Sequence, residues 1–276
     1  MRLDRTRHAG RRGAYAPDRG TLERLYAKYN DRRFIQSDPV AFVHLYEEPR
    51  DREIVALVAS SLAFGTVKQI KGSVARVLEM LGGEPADRVA SSSPSDLAFA
   101  MRGFRHRWIT GGDMASLLAG AGAAMREHGS LGGLFRSKLE EGESDTAPAA
   151  GRFARALRDL GGGYRQCLLP SPESGSACKR LNLFLRWMVR SDEVDPGGWS
   201  WLPPAMLLVP LDTHMRRISA ELGLMKRRTA DLEAAREVTE AFRRISPEDP
   251  VKYDFALTRL GMLRKEAEED RAGLFG

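Results

Sequence analysis

The stretch that decides the fold is LLPSPESGSACKRLNLFLRWMVR, residues 168–190, in which a turn rich in Pro, Gly and Ser leads into an apolar and basic helix. The spacing of the apolar residues predicts that this helix begins near Ala177. Residues 152–160 also have helical spacing, and consecutive glycines at 161–163 follow them. The two segments together therefore predict a helix-hairpin-helix.

The predicted hairpin turn would expose backbone N–H groups, including those of Gly175 and Ser176, at a helix N-terminus. Such donors bind a DNA phosphate without contacting a base. Lys179 lies in the first turn of the same helix, where the positive end of the helix dipole favours the neutral amine that a nucleophile needs. A surface lysine that touches phosphate or solvent is the alternative interpretation.

Helical spacing recurs along the rest of the chain, as in residues 54–62 and 67–81, and no segment shows the alternation of a strand. Ser93 and Asp249 each stand directly before a proline, so each is suited to cap a helix whose first turn holds that proline. The fold class is therefore predicted to be all-α.

The polar segment EEGESDTAPAAG, residues 140–151, predicts an exposed connection between two helical blocks. Residues 1–20 are rich in arginine but lack the apolar core of a secretory signal, which predicts a flexible basic arm. We therefore expect a helical domain over residues 21–276, with lobes near 21–140 and 152–276 that can exchange their terminal segments.

The composition narrows the class of protein. A formal net charge of +6 favours a polyanionic partner, although an arginine-rich genome that places arginine on solvated surfaces explains it as well. No apolar run approaches the ~18 residues of a membrane span, so we expect a soluble protein without a membrane partner. The lack of a secretory signal predicts a cytoplasmic location, and we expect a monomer. Cys167 and Cys178 are the only cysteines, which excludes a disulfide framework and a four-cysteine zinc or iron–sulfur site within one chain.

A second informative block, VPLDTH at residues 209–214, follows a Gly/Pro-rich connection and precedes a basic helix. With Lys179, it resembles the helix-hairpin-helix DNA glycosylase superfamily, in which a hairpin lysine is followed by an aspartate in a V-P-x-D-x-H pattern. Residues 54–66, IVALVASSLAFGT, resemble the early helix of that superfamily and its turn toward the DNA, with Phe64 where many members carry a glutamine. The fixed residues of the pattern are Val209, Pro210, Asp212 and His214.

The length of chain between Lys179 and Asp212 is similar to that of the archaeal 8-oxoguanine DNA glycosylase branch. The phrases KRLNLFLRWMVR and PEDPVKYDFAL resemble a bacterial family known as DUF2400, related to that branch. The resemblance implies two helical lobes with a DNA cleft between them. It also implies damaged double-stranded DNA as the partner, a nucleoid-associated protein, and chemistry without a metal or an organic cofactor.

The resemblance implies that Lys179 attacks C1′ of a flipped nucleotide, expels an oxidised purine and nicks the strand by β-elimination. The lesion that it leads us to expect is 8-oxoguanine. Asp212 stabilises the charge that develops on the sugar. Asp212 is also a good N-cap, and both roles can coexist. His214 could contact a phosphate or order the loop, and with Asp212 it is too small a set for a metal site.

Aromatic and acidic residues are candidates for holding the flipped base. Trp187 and Phe255 could stack on it, although aromatic residues at helical spacing pack into the core by default. Asp254 could accept the N1–H and N2–H of an oxidised guanine, or pair internally with Arg259 or Lys252.

Phe64, at a predicted helix end before Gly65, could fill the hole left by the extruded base. Arg216 and Arg217 begin a basic stretch that could follow the DNA backbone, with a solvated helix face as the alternative.

Two other classes of function remain compatible with the sequence. In one, the hairpin binds DNA or RNA without chemistry and Lys179 contacts only phosphate. In the other, the chain is a helical interaction protein whose basic charge is incidental, which would give weak affinity for duplex DNA even at low salt.

Overall fold

The structure is a computed structural model that describes residues 17–262 and 268–275. Residues 1–16, most of the predicted basic arm, lie outside the described residues. The described chain is predominantly helical, which confirms the predicted all-α class. The helices are α1 (Arg19–Tyr29), α2 (Val40–Val43), α3 (Pro49–Ser61), α4 (Val67–Leu81), α5 (Pro85–Ser91), α6 (Pro94–Ala100), α7 (Gly111–His128), α8 (Leu131–Ser137), α9 (Ala147–Leu160), α10 (Lys179–Val189), α11 (Thr213–Glu221), α12 (Leu232–Arg243), α13 (Asp254–Met262) and α14 (Glu268–Phe275). Short 3₁₀ turns lie at Arg32–Ser37, Pro172–Ser174 and Pro204–Met206.

Side-chain caps start helices where the sequence places the right residues. Ser93 caps α6 as predicted, and Asp96 completes a reciprocal capping box with it. Asp18 accepts a hydrogen bond from Thr21 and caps α1, whose first residue is Arg19. The helical domain therefore begins slightly before the expected boundary at residue 21.

Asp249 does not cap a helix, and this prediction was wrong. The helix that follows, α13, begins only at Asp254. The carboxylate of Asp249 instead accepts a hydrogen bond at 2.8 Å from Nε of Arg190, a buried arginine at the end of α10. Leaving a buried guanidinium without a carboxylate partner costs more free energy than leaving a helix end without a side-chain cap.

Helix α3 forms the centre of the core. Residues 54–61 are fully enclosed on every side, as expected for a helix that is apolar all round. Helices α2, α5, α8 and α10 pack around it, with α10 making its main helix contact there. The start of α10, where Lys179 lies, is therefore positioned by packing against the fully buried helix of the core.

Helix α7 approaches its neighbours at glycines that leave no room for a side chain. A Cβ atom at Gly120 would lie 2.0 Å from the carbonyl oxygen of Leu157 in α9. A Cβ at Gly122 would lie 2.3 Å from the carbonyl oxygen of Val89 in α5. Backbone contact at both positions holds α5, α7 and α9 in one layer.

The segment predicted as an exposed connection, residues 140–151, is only partly one. Helix α9 already begins at Ala147, and the preceding Asp145 and Thr146 are buried. Asp145 accepts a hydrogen bond at 2.8 Å from Nε of Arg236 in α12. One continuous hydrophobic cluster includes residues on both sides of this segment, and the division into lobes stays a prediction.

A small β-hairpin interrupts the helices and was not foreseen. Strands β1 (Arg105–His106) and β2 (Ile109–Thr110) pair in antiparallel register. The imidazole of His106 anchors the hairpin, with Nδ1 2.8 Å from the hydroxyl of Ser73 and Nε2 2.9 Å from the carbonyl oxygen of Phe64. Two-residue strands are too short to produce a detectable alternation in the sequence.

None of the helices in the described part of the chain combines the length and hydropathy that a bilayer span requires.

Glu53 is a buried carboxylate that ties α3 to its surroundings. It accepts hydrogen bonds from the N–H groups of Leu131 at 2.7 Å and Gly132 at 2.9 Å, at the start of α8. It also accepts one from the indole of Trp199 at 2.7 Å. Burial raises the pKa of this carboxyl above its usual value.

We expect Glu53→Ala to lower the free energy of unfolding by about 3 kcal/mol, because it leaves several buried donors without an acceptor. Urea denaturation followed by circular dichroism measures the change. Glu47, exposed just before α3, provides the control. Glu47→Ala should change stability by less than about 0.5 kcal/mol. Equal losses in the two variants would contradict a structural role for the Glu53 network.

Candidate active site

Lys179 and Asp212, which are distant in sequence, lie side by side. Lys179 is the first residue of α10, and Asp212 immediately precedes α11. The Lys179 amine, Nζ, is 3.9 Å from Oδ2 of Asp212 and donates a hydrogen bond at 3.3 Å to the carbonyl oxygen of Ala63. The two side chains are 33% and 19% exposed, so both can be reached from solvent.

The two carboxylate oxygens of Asp212 have different partners. Oδ1 accepts a hydrogen bond at 2.8 Å from the N–H of Met215 and so caps α11. Oδ2 is the oxygen that faces Lys179. The cap fixes the orientation of the carboxylate, and its second oxygen points toward the amine.

The residue before Lys179 has an unusual backbone conformation. Cys178 has φ of 47°, and in residues 17–262 and 268–275 Arg107 is the only other non-glycine residue with positive φ. Its thiol donates to the carbonyl oxygen of Pro170 at 3.1 Å, and its N–H donates to the hydroxyl of Ser176. These bonds hold the left-handed conformation from which α10 starts, later than the predicted Ala177. Burial raises the pKa of the Cys178 thiol to about 12, which leaves it a poor nucleophile.

Lys179 and Asp212 border a compact inner pocket with a volume of about 180 Å³. Pockets for drug-sized ligands measure roughly 300 to 1,000 Å³, so the inner pocket is smaller than these. The residues that line the inner pocket are Ser37, Asp38, Pro39, Ala63, Gly65, Val67, Ile70, Lys179, Leu183, Arg186, Pro210, Asp212, His214, Asp254, Phe255, Thr258 and Met262.

An outer cavity of about 460 Å³ adjoins the inner pocket and shares Lys179, Asp212 and His214 with it. The outer cavity extends to Phe64 and Arg216. Lys179 and Asp212 therefore stand where the two spaces meet. The Lys179 amine is therefore accessible from both cavities.

Asp254 lies buried at the inner pocket, where its Oδ2 accepts a hydrogen bond from Nη1 of Arg186. Its other oxygen, Oδ1, has no hydrogen-bond partner among the described residues. Burial raises the pKa of this carboxyl to about 6, and the nearby carboxylates of Asp212 and Asp195 act in the same direction. Arg186 opposes the shift, but it is shared with Asp195 and does not cancel the loss of solvation.

The internal partners proposed for Asp254 from the sequence were wrong. Arg259 donates to Asp38 at 2.6 Å, and Lys252 donates to Glu23 at 2.8 Å. Both lie closer to Asp254 in sequence than Arg186 does, but in the folded chain each has its own acceptor.

Phe255 lines the inner pocket beside Asp254. Its ring contacts two guanidinium groups, with the central carbon of Arg259 4.6 Å and that of Arg186 5.9 Å from the ring centroid. Cation–π contacts of this kind fix the ring in place. Phe255 is thus a rigid apolar wall of the pocket.

His214 lies in the first turn of α11 and lines both cavities. Its Nδ1 is buried and has no hydrogen-bond partner among the residues that the structure describes. A buried polar atom without a partner at a pocket is a candidate for binding a ligand group.

Trp187 does not belong to the pocket, and its predicted role there was wrong. Its side chain is fully enclosed, and it lines neither of the two described cavities. The residue lies on the core side of α10, the default position for an aromatic residue at helical spacing.

Phe64 lies in the turn between α3 and α4 and lines the outer cavity. Its ring is half-buried. It stacks on the indole of Trp108 with ring centroids 5.1 Å apart, and the central guanidinium carbon of Arg180 lies 4.7 Å from its centroid. Trp108, which the sequence analysis did not single out, is the more exposed of the two aromatic rings. Only the hairpin brings Trp108 here, and nothing in the sequence signals that hairpin.

The predicted basic stretch divides between two sides of α11. Arg216 is exposed, lines the outer cavity and donates to the carbonyl oxygen of Arg228 at 2.7 Å. Arg217 lies outside both cavities and donates to the carbonyl oxygen of Gly261 at 3.0 Å. Of the two arginines, Arg216 is therefore the one that can contact a ligand in the outer cavity.

Gly175 and Ser176 lie outside the lining of both cavities. The N–H of Gly175 donates at 2.9 Å to the carbonyl oxygen of Pro172, and its own carbonyl oxygen accepts from the N–H of Leu232. Ser176 forms an isolated β-bridge with Asp231. The amide of Gly175 is thus already engaged within its turn.

No group of three or more His, Cys, Asp or Glu side chains in residues 17–262 and 268–275 is arranged to hold a metal ion.

Comparison with known proteins gives one match. A family model described as "Protein of unknown function (DUF2400)" matches residues 38–263. Neither a curated protein nor a solved structure matches the chain. The match includes Lys179, Asp212 and every residue that lines the inner pocket except Ser37.

Two substitutions of Asp212 separate the capping role of the side chain from the role of its charge. Asp212→Ala should lower the free energy of unfolding by about 1 kcal/mol, because it removes the cap of α11. Asp212→Asn keeps an oxygen that can accept from Met215 and should change stability by less than about 0.5 kcal/mol. Urea denaturation of both variants measures the difference. Equal losses would mean that the charge, rather than the cap, holds the start of α11.

Proposed function

Because the chain belongs to the DUF2400 family, a family described as of unknown function, we propose its activity from the site. The proposed activity is that of a bifunctional DNA glycosylase and AP lyase that excises an oxidised purine, 8-oxoguanine, from damaged double-stranded DNA. The observation that carries the proposal is the Lys179 amine 3.9 Å from Asp212 at the entrance of a pocket of about 180 Å³.

In the first step, the neutral amine of Lys179 attacks C1′ of the extruded nucleotide. A C–N bond forms between lysine and sugar as the glycosidic bond breaks. The electron pair of the broken glycosidic bond leaves with the base, which takes up a proton. Asp212 presents Oδ2 to the amine and stabilises the positive charge on sugar and lysine. The cap on Oδ1 supports this role, because a fixed carboxylate needs little reorganisation as the charge develops.

The second step cleaves the strand. The lysine nitrogen forms a Schiff base with C1′ as the sugar ring opens. Loss of a proton from C2′ then expels the 3′ phosphate by β-elimination. Asp212 is near enough to Lys179 to take part in these proton transfers. The same lysine thus removes the lesion and nicks the strand.

The lining of the inner pocket is suited to an extruded base. A base held there can stack on an apolar face and hydrogen-bond along its polar edge. Phe255 provides a fixed ring, and Asp254 provides a carboxylate whose Oδ1 has no partner among the described residues. An ionised carboxylate fits the N1–H and N2–H donors of a guanine-type base.

The proposal includes an architecture in which α9 and α10 are the two halves of a helix-hairpin-helix beside a DNA cleft. Phe153 of α9 stacks on Phe184 of α10 with ring centroids 5.9 Å apart, so the two helices touch at these rings. The cleft would lie at the outer cavity, where Arg216 is exposed.

Borohydride trapping tests the lysine chemistry directly. We expect the purified protein to form a covalent adduct with duplexes that carry 8-oxoguanine opposite cytosine or an abasic site, and not with undamaged duplex. Lys179→Gln should abolish the adduct, because the amide cannot form a Schiff base. Asp212→Asn should slow base excision by about a hundredfold or more. Denaturing gel electrophoresis measures both.

Lys68 is an exposed lysine of α4 that lines neither of the described cavities, so Lys68→Gln is the matched control and should trap like the wild type. Trapping on the abasic duplex alone would leave a lyase with a different lesion. Binding to DNA without any trapping would contradict the proposed chemistry and favour a non-catalytic nucleic-acid-binding protein.

The raised pKa of Asp254, about 6, predicts a pH dependence of base recognition. Below that pH the carboxyl is protonated and cannot accept both donors of a guanine edge, and above it the carboxylate can. We expect the excision rate for 8-oxoguanine, divided by the lyase rate on an abasic duplex, to rise as pH increases through about 6. Single-turnover rates between about pH 5 and pH 8 measure this ratio.

The ratio cancels pH effects on steps that both substrates share. Asp254→Asn should flatten its pH profile while abasic-site cleavage is retained. A ratio that is constant with pH in the wild type would contradict a role for Asp254 in reading the base.

A further inference from the structure

The hairpin of β1 and β2 turns through Arg107 and Trp108. Arg107 has φ of 55°, a left-handed conformation that two-residue hairpin turns usually fill with asparagine or glycine. A larger side chain destabilises this conformation. The fold nevertheless places an arginine and a tryptophan at the tip, and strained residues of this kind cluster where a protein contacts a ligand.

The tip is held rigidly. Trp108 stacks on Phe64 with ring centroids 5.1 Å apart and an angle of 28° between the rings. The carbonyl oxygen of Trp108 accepts a hydrogen bond at 3.1 Å from Nη1 of Arg165. His106 binds the carbonyl oxygen of Phe64 at 2.9 Å. Supported in this way, the indole is still 45% exposed and has surface free for contact.

The tip borders the entrance of the site. Phe64, on which Trp108 rests, lines the outer cavity, and the preceding carbonyl oxygen, that of Ala63, accepts from the Lys179 amine. A Cβ atom at Gly65, which lines both cavities, would lie 3.4 Å from Cδ of Arg107. Trp108 is therefore next to the path by which a nucleotide would reach Lys179.

The charges around the tip suit a polyanion. Arg107 forms no ion pair within residues 17–262 and 268–275, and its guanidinium lies 4.8 Å from the indole of Trp108. Arg180, on the ring of Phe64, donates to the carbonyl oxygens of Ser61 and Cys167 and not to a carboxylate. Aromatic rings interleaved with uncompensated arginines are the combination that binds unstacked nucleic acid, through base stacking and phosphate contact.

We propose that Trp108 stacks on a nucleobase exposed by extrusion of the target nucleotide and so holds open the gap in the duplex, with Arg107 binding the adjacent phosphate. The inference rests on the proposed function, because it assumes a nucleotide extruded from a duplex. It replaces Phe64 with Trp108 as the residue that enters the gap. Phe64 becomes the support on which the indole rests.

The test measures binding to a duplex that carries a tetrahydrofuran abasic analogue flanked by 2-aminopurine, and to the same duplex intact. Lys179→Gln serves as the background, so that no lysine chemistry contributes. We expect tighter binding to the gapped duplex and quenching of 2-aminopurine fluorescence by the indole. Trp108→Ala should reduce the preference for the gapped duplex by about tenfold or more and abolish the quenching. Trp108→Phe should retain most of both.

Phe99 provides the matched control, since it is 70% exposed and the guanidinium of Arg102 lies 4.8 Å from its ring centroid. It lies on α6, whereas Trp108 stacks on Phe64 at the outer cavity. Phe99→Ala should leave both readouts unchanged. A Trp108→Ala variant with wild-type melting temperature, preference and quenching would overturn the inference. Failure of the glycosylase proposal is distinguishable: trapping would then be absent while the Trp108-dependent preference for the gapped duplex remained.

Discussion

The guanidinium of Arg186 is enclosed within the protein and bound on two sides. Its Nε donates to Asp195 at 3.1 Å, and Nη1 donates to Asp254 on α13. Removing one partner of such a buried pair leaves a charge without compensation, which costs about 3–5 kcal/mol. Arg186 therefore fixes α10, which carries Lys179 at its start, against the helix that forms the floor of the pocket.

The same interaction extends into a larger buried network whose charge balance reaches the site. One helical turn further on, Arg190 binds Asp192, Asp195 and Asp249. Carboxylates outnumber guanidinium groups in this network, and burial raises the pKa of Asp195 as well as that of Asp254. Asp254 is the carboxylate of this network that lines the inner pocket. The scaffold that orders the pocket thus also raises the pKa of a carboxyl in its lining.

What the sequence could predict depended on whether the signal was local. The helical class and the cap at Ser93 follow from residues a few positions apart, and the adjacency of Lys179 and Asp212 was expected from a pattern. The partner of Asp254 could not be predicted, because Arg186 reads as one more basic residue in an apolar helix and only the fold shows it buried. The hairpin that presents Trp108 was missed for a related reason, since its strands are two residues long.

The two carboxylate oxygens of Asp212 have separate roles: Oδ1 caps α11, and Oδ2 faces the Lys179 amine. A relative that shares this fold needs a capping side chain here whatever its activity, and asparagine, serine or threonine supplies one as aspartate does. Aspartate is required only where the negative charge beside the lysine is used. The identity of this residue among relatives that retain Lys179 would therefore show whether the negative charge or only the cap is kept at this position.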